Sequence, residues 1–165
     1  MSQKIFITGA TGFIGSHVVL QTLEAGFDVR LSVRKQSQIS ALKTLFSGYD
    51  SKVEFTIIPD LAAYGAFHNA LKGVAYVFHI ASPMPGTGSD FKKDYVEPAE
   101  QGTLAILKAA TSEKTIKKVV IVSSLLALVP LDALVTKDFH AKGKVSYHSC
   151  FHFTDFPDIF QRERI

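Results

Sequence analysis

Between Gly9 and Gly15 the chain reads Gly-Ala-Thr-Gly-Phe-Ile-Gly, with glycine at every third position. Each glycine answers a separate steric demand. Gly9 permits a tight turn, Gly12 lets backbone approach a pyrophosphate, and Gly15 allows close contact between a helix and a strand. A helix opening behind such a loop offers free N–H groups and the positive end of its dipole to phosphates. Gly9, Thr11, Gly12, Phe13, Ile14 and Gly15 are therefore a candidate phosphate-binding set. A second group is Ser32-Val33-Arg34-Lys35, two adjacent cations with no carboxylate in the window. A guanidinium forks onto phosphate oxygens and a neighbouring ammonium adds charge. Arg30, inside the preceding apolar run, reads as structural. A third group, His148, Cys150 and His152, alternates and would share one side of a strand, with Asp155 as a conceivable fourth zinc ligand. No earlier pair with zinc spacing accompanies it, so no metal is assigned. His17, His68, His79 and His140 belong to no constellation and read as structural or surface residues.

The elements that must hold these groups follow from hydrophobic periodicity. Lys4 to Thr8 is a short β-rich run that ends in glycines, as a buried strand does. A helix follows with Ile14, Val18 and Leu23 near one face and Gly26 as its stop. Val29–Val33 reads as a second strand. Ser37 can cap a helix carrying Ile39, Leu42 and Leu45, closed by Gly48. Val53–Ile58 is a third strand, Leu61–Lys72 a third helix ending at Gly73, and Val74–Ile80 a fourth strand. A long helix spans about Phe91 to Thr111, with Pro98 in its first half, before a fifth strand, Lys118 to Ser123. Strand and helix in alternation predict an α/β fold: a parallel sheet, doubly wound with helices on both faces.

Composition narrows the function classes. The 165 residues are 47% apolar and 20% charged, which excludes a disordered chain and predicts one domain. The charges, 18 Lys+Arg against 15 Asp+Glu, are scattered, and the longest basic runs are pairs such as Lys92-Lys93 and Lys117-Lys118. No nucleic-acid partner is expected from that pattern. The most membrane-like stretch, Val119 to Val135, is broken by Ser123, Ser124, Pro130 and Asp132 and falls short of the ~20 apolar residues of a span. The N-terminal apolar run is interrupted at once by Thr8, Gly9, Thr11 and Gly12, unlike a secretory signal. With a single cysteine, Cys150, the expectation is a cytoplasmic protein in a reducing compartment.

Five ordered stretches then carry a resemblance. They are Ile5 to His17, Pro59-Asp60-Leu61, Val77 to Pro83, Pro98-Ala99 with Gly102-Thr103, and Val119 to Ser124. Together they resemble the extended branch of the short-chain dehydrogenase/reductase superfamily, NAD-dependent epimerase/dehydratase-like. They are most similar to dihydroflavonol reductase, cinnamoyl-CoA reductase and related fungal aldehyde and ketone reductases. The resemblance implies a Rossmann-type domain binding NADP(H) and reducing a small-molecule aldehyde or ketone. A site preferring NAD has an acidic residue at the end of strand two, and Arg34 with Lys35 instead suits the 2′-phosphate of NADP. By the same resemblance Asp60 and Leu61 border the adenine, and Ile80, Ala81 and Ser82 line the adenine-ribose and phosphate side.

The catalytic set that the resemblance implies is a Ser, a Tyr and a Lys. The Ser holds the carbonyl oxygen, the Tyr protonates it, and the Lys favours the ionised phenol. Ser124 matches the Ser, with Ser123 as the alternate. No Tyr-x-x-x-Lys follows: the only later tyrosine is Tyr147, with Phe151 four residues on, and the last lysine, Lys144, precedes it. The chain therefore divides into residues 1–144, an incomplete NADP-binding domain with the first five strands of such a reductase, and 145–165, a divergent aromatic tail. Three readings stand: a reductase, a non-catalytic NADP-binding regulatory module, or a truncated or frame-shifted reductase product. The fifth strand, β-rich at an open sheet edge, predicts self-association. Substrate identity is not encoded in these residues.

Overall fold

The computed structural model describes residues 2–83, 90 and 92–123. The chain divides into two compact units, Met1–Val122 and Ser123–Ile165, and the architecture below is that of the first.

Strand β1 (Lys4–Thr8) shows why a parallel sheet forms here. Ile5 and Ile7 point to one core, while Phe6 points to the other, so both faces of the strand must be covered. With β2 (Asp28–Val33), β3 (Val53–Ile57), β4 (Tyr76–His79) and β5 (Lys118–Ile121) it forms one sheet in the order β3-β2-β1-β4-β5. Every pairing is parallel, with Ile5 opposite Val29 and Tyr76, and Thr8 opposite His79. This is the expected doubly wound sheet. Its order runs outward from β1 to β3 and then returns to place β4 beside β1, so the switch in direction falls between β1 and β4.

Helices α1 (Phe13–Glu24) and α2 (Ser37–Leu45) cover the first face, where Val19, Leu23, Leu42 and Phe46 pack onto Ile5, Ile7, Val29 and Leu31. The second face is covered by α3 (Glu97–Ser112) and the segment 61–73, where Phe67, Leu71 and Ile106 meet Phe6 and Val77. The rings of Phe6 and Phe67 meet edge to face with centroids 6.0 Å apart. Full burial of each stabilises the fold by about 1.5–3 kcal/mol.

Several local expectations need correction. Residues 61–73 form successive turns, not a helix. Two of their hydrogen bonds reach back three residues, Ala66 N to Ala63 O (3.1 Å) and His68 N to Gly65 O (3.0 Å), and a single one, Leu71 N to Phe67 O (3.1 Å), reaches back four. Gly65, at φ 73°, lies in the left-handed region that a continuing helix cannot use. Phe67, Ala70 and Leu71 still face the core, which is why their spacing imitates a helix. The long fourth helix begins as one π-type turn, Lys92–Val96, and Pro98 sits in the first turn of α3, where its missing N–H costs no intrahelical bond. Ser37 does not cap α2; the residue before the helix is Gln36, without a side-chain cap bond. On α1 the buried positions are Gly15, Val19, Thr22 and Leu23, while Ile14 is exposed. Leu45 of α2 is likewise exposed, and Phe46 takes the core position.

Candidate functional site

At the carboxyl ends of β1 and β4, one hydroxyl organises the crevice. Thr8 Oγ1 accepts hydrogen bonds from the N–H groups of Ile80 and Ala81, both at 3.1 Å. A hydroxyl has one proton to give, and it goes to His79 Nδ1 at 3.0 Å. The imidazole proton is thereby placed on Nε2. Both residues are buried, and burial pushes the His79 pKa below its ordinary value. His79 is thus structural, as the sequence suggested, yet it also lines the cavity described below.

The glycine loop abuts this pair. Gly9 has φ 79°, and a Cβ on it would stand 2.8 Å from Ala81 N. A Cβ on Gly15 would stand 2.0 Å from Gly9 O, so α1 approaches the loop at the end of β1 closer than any side chain allows. Gly12 is different. Its backbone (φ −85°, ψ 166°) suits any residue, and an added Cβ would meet only Gly9 O, at 3.4 Å. Among the described residues nothing requires glycine there, and the space beside it is open to a ligand. Helix α1 starts at that point with no side-chain cap and no acidic residue in its first turn. Its first-turn N–H groups have no intrahelical acceptor. Thr11, Phe13 and Ile14 are exposed around them.

A cavity of about 320 Å³ lies along the carboxyl ends of the strands. Its wall brings together Arg34, Asp60, Leu61, Ala81 and Ser82, five residues singled out from sequence. Lys35 and Ile80 are not in that wall, although Ile80 is tied to it through Thr8. Asp60 Oδ1 accepts the Ala62 N–H at 2.8 Å and so starts the turns of residues 61–73. Among the described residues no carboxylate pairs with Arg34 or Lys35. Arg30 differs: it binds Glu54 and donates to the carbonyls of Ala70 (2.8 Å) and Lys72 (2.9 Å), a structural role. The opposite wall comes from α3, where Ala99, Gly102 and Thr103 were not assigned from sequence. Their small side chains at helical spacing were the available signal, for they let α3 rest on Leu61, 3.6 Å from the Cβ position of Gly102.

The uncapped helix N–H groups and the open space at Gly12, which lie outside that wall, together with a strand-end cation and a cavity of mixed polar and apolar lining, fit a dinucleotide across the β1–β4 switch point. Ser124, Tyr147 and the His148–Cys150–His152 group lie outside the described residues, and Ser123 is an exposed residue after β5. Among the described residues no cluster of His, Cys, Asp or Glu could hold a metal ion, and no helix is long and apolar enough to cross a membrane.

Comparisons with known proteins agree with this geometry. The family model described as the NAD dependent epimerase/dehydratase family matches residues 5–145. A ketoreductase of Aspergillus fumigatus is 46% identical over 130 residues, covering 79% of this chain and 38% of that protein. A bifunctional dihydroflavonol 4-reductase/flavanone 4-reductase of Malus domestica is 38% identical over 124 residues, covering 74% of this chain and 36% of its own length. The crystal structure of Gre2 from Candida albicans in complex with NADPH superposes with a TM-score of 0.72 at 32% identity, covering 78% of this chain and 38% of that one. The chain thus spans well under half the length of the relatives it matches.

Proposed function

The chain belongs to the NAD dependent epimerase/dehydratase family, and from that premise we propose that its β1–β4 crevice binds NADP(H) in preference to NAD(H). The observation that carries the preference is Arg34, in the cavity wall at the end of β2 with no carboxylate partner among the described residues. An acid there would accept hydrogen bonds from the ribose hydroxyls; a guanidinium instead pairs with a 2′-phosphate. The NADPH carried by the Candida albicans relative supports the same choice. In this reading the first turn of α1 and Gly12 receive the pyrophosphate, Asp60 and Leu61 border the adenine, and Ala81 and Ser82 flank the ribose. In a complete reductase of this family, NADPH so bound would supply the hydride for reduction of an aldehyde or ketone. The chain's own Ser124 is the group that would hold the carbonyl oxygen. Fluorescence titration of the 165-residue chain with NADPH and NADH tests the preference, and equal affinities would overturn it.

A second proposal concerns turnover. The residue four places after Tyr147 is Phe151, so the Tyr-x-x-x-Lys pair that the family resemblance implies is not met at this tyrosine. These 165 residues accordingly bind cofactor without reducing carbonyls, acting as a non-catalytic NADP-binding module or a reductase fragment. NADPH oxidation with a panel of small aldehydes and ketones, abolished in Tyr147→Phe, would show the opposite. Self-association belongs to the same reading, since β5 is one of the two edge strands among the described residues and Ile121 and Val122 beside it are exposed. Sedimentation as a clean monomer with cooperative melting would refute it.

A further inference from the structure

The turn between β2 and α2 is held from within the helix. The residue preceding α2, Gln36, makes no side-chain cap bond, and Ser37 donates nothing to the turn. Gln38, the second residue of α2, does the work instead. Its Oε1 accepts the backbone N–H of Arg34 at 2.9 Å and that of Lys35 at 3.1 Å. Its own N–H donates to Lys35 O at 3.1 Å. One residue therefore grips both faces of the turn that carries the two cations.

Two consecutive N–H groups converging on one acceptor form a nest, a concavity of anion-binding polarity. Here the occupant is a neutral carboxamide oxygen. Because backbone N–H groups can only donate, the amide orientation is settled by them: oxygen inward, with Nε2 left as a donor. Among the described residues Nε2 makes no other hydrogen bond. A carboxylate in the same place would bind the two N–H groups more strongly, but would set a negative charge beside any phosphate held by Arg34.

We propose that Gln38 is a positioning and specificity-determining residue for the 2′-phosphate end of the cofactor. It fixes the backbone from which Arg34 enters the cavity, and it does so without charge. The inference rests on the reading that Arg34 receives the 2′-phosphate. Arg34 is the residue in contact with the phosphate; Gln38 acts mainly by fixing the backbone that presents it.

Titration of NADPH and NADH against four proteins separates the possibilities: the 165-residue chain, Arg34→Ala, Gln38→Glu and Gln38→Met. Gln38→Glu keeps the acceptor and adds charge. It should not lower the melting temperature, and should weaken NADPH by about tenfold and leave NADH within about twofold, a tenfold change corresponding to about 1.4 kcal/mol. Gln38→Met removes the acceptor at similar volume and should also lower the NADPH-to-NADH affinity ratio. A purely structural role would instead weaken both cofactors together and leave the ratio in place. If Arg34→Ala lowers the ratio while both Gln38 variants stay within about twofold of the parent, the inference falls and the phosphate reading stands. If the parent chain shows no preference, both fall. Should Gln38→Met not fold, Gln38→Glu still decides, because it retains both hydrogen bonds.

Discussion

In the crevice between β1 and β4, polar groups satisfy one another. Thr8 takes two backbone N–H groups and gives its proton to His79, and Gly9 and Gly15 leave no room for a further atom. At the β2–α2 turn the backbone is equally well held, by Gln38, but the side chains of Arg34 and Lys35 are exposed, with no anionic partner among the described residues. The first region is finished before any ligand arrives. In the proposed reading the second is completed by one, so that fixed backbone meets what all dinucleotides share and a free charge meets what distinguishes them. Substitutions in the crevice should therefore harm stability and both cofactors alike, whereas substitutions at the turn should change selectivity alone.

The largest effect is expected from Thr8→Val. The change conserves shape but strands the part-buried N–H groups of Ile80 and Ala81 and removes the partner of the buried His79 Nδ1, and an unsatisfied buried group costs about 1–3 kcal/mol. Chemical denaturation should show a loss of several kcal/mol at most, with binding of NADPH and NADH reduced in parallel. A variant as stable as the parent would mean that Thr8 does not organise the crevice. Gly15→Ala comes next. A Cβ 2.0 Å from Gly9 O forces the loop outward, and overpacking of this kind costs about 1–3 kcal/mol. The melting temperature should drop, since about 1 kcal/mol corresponds to ~2–4 °C in a chain of this size. Retention of parental melting and binding would contradict the close approach of α1. Arg34→Ala is smaller and selective. Loss of a charge-assisted hydrogen bond, about 1.5–3 kcal/mol, should weaken NADPH tenfold or more. NADH affinity and melting temperature should hold, and a parallel loss for NADH would erase the distinction between the two regions.

The two regions also differ in how far sequence reveals them. The glycine loop was readable because its demands are local: a strand, a turn and a helix start lie within a dozen residues. Arg34 was readable for the same reason, standing at a strand end with no acid nearby. The Thr8–His79 pair was not, because its partners are 71 residues apart and meet only through the register of β1 on β4. Gly102 against Leu61 escaped for the same reason. Residues 61–73 misled in the other direction. Phe67, Ala70 and Leu71 recur at helical spacing, and the left-handed backbone of Gly65 that forbids the helix leaves no mark on periodicity. Alternation and right-handed crossovers predicted the doubly wound sheet, whereas its strand order and the buried hydrogen bonds of the crevice came only from the structure.

The smallest expected effect tests the crevice by pH. His79 is neutral in the fold because burial lowers its pKa from the ordinary 6.5. The unfolded chain binds a proton below that value while the folded chain does not. Stability should thus be flat above about pH 7 and decline as the pH falls below 6.5, with a slope of at most about 1.4 kcal/mol per pH unit until the folded group itself titrates. Glu54 acts in a lower window. The hydrogen bond from Lys4, aided by Arg30, holds its carboxyl below the ordinary 4.5, so its contribution is complete above that pH and is lost as the pH falls through its lowered value. The two windows do not overlap at their upper ends, which lets one variant separate them. His79→Asn keeps an acceptor for Thr8 and removes the titrating ring. Its urea-unfolding stability should start lower at pH 7.5 but lose the slope that sets in just below pH 6.5, while the decline below pH 4.5 persists. A slope retained in His79→Asn would move the titrating group out of the crevice.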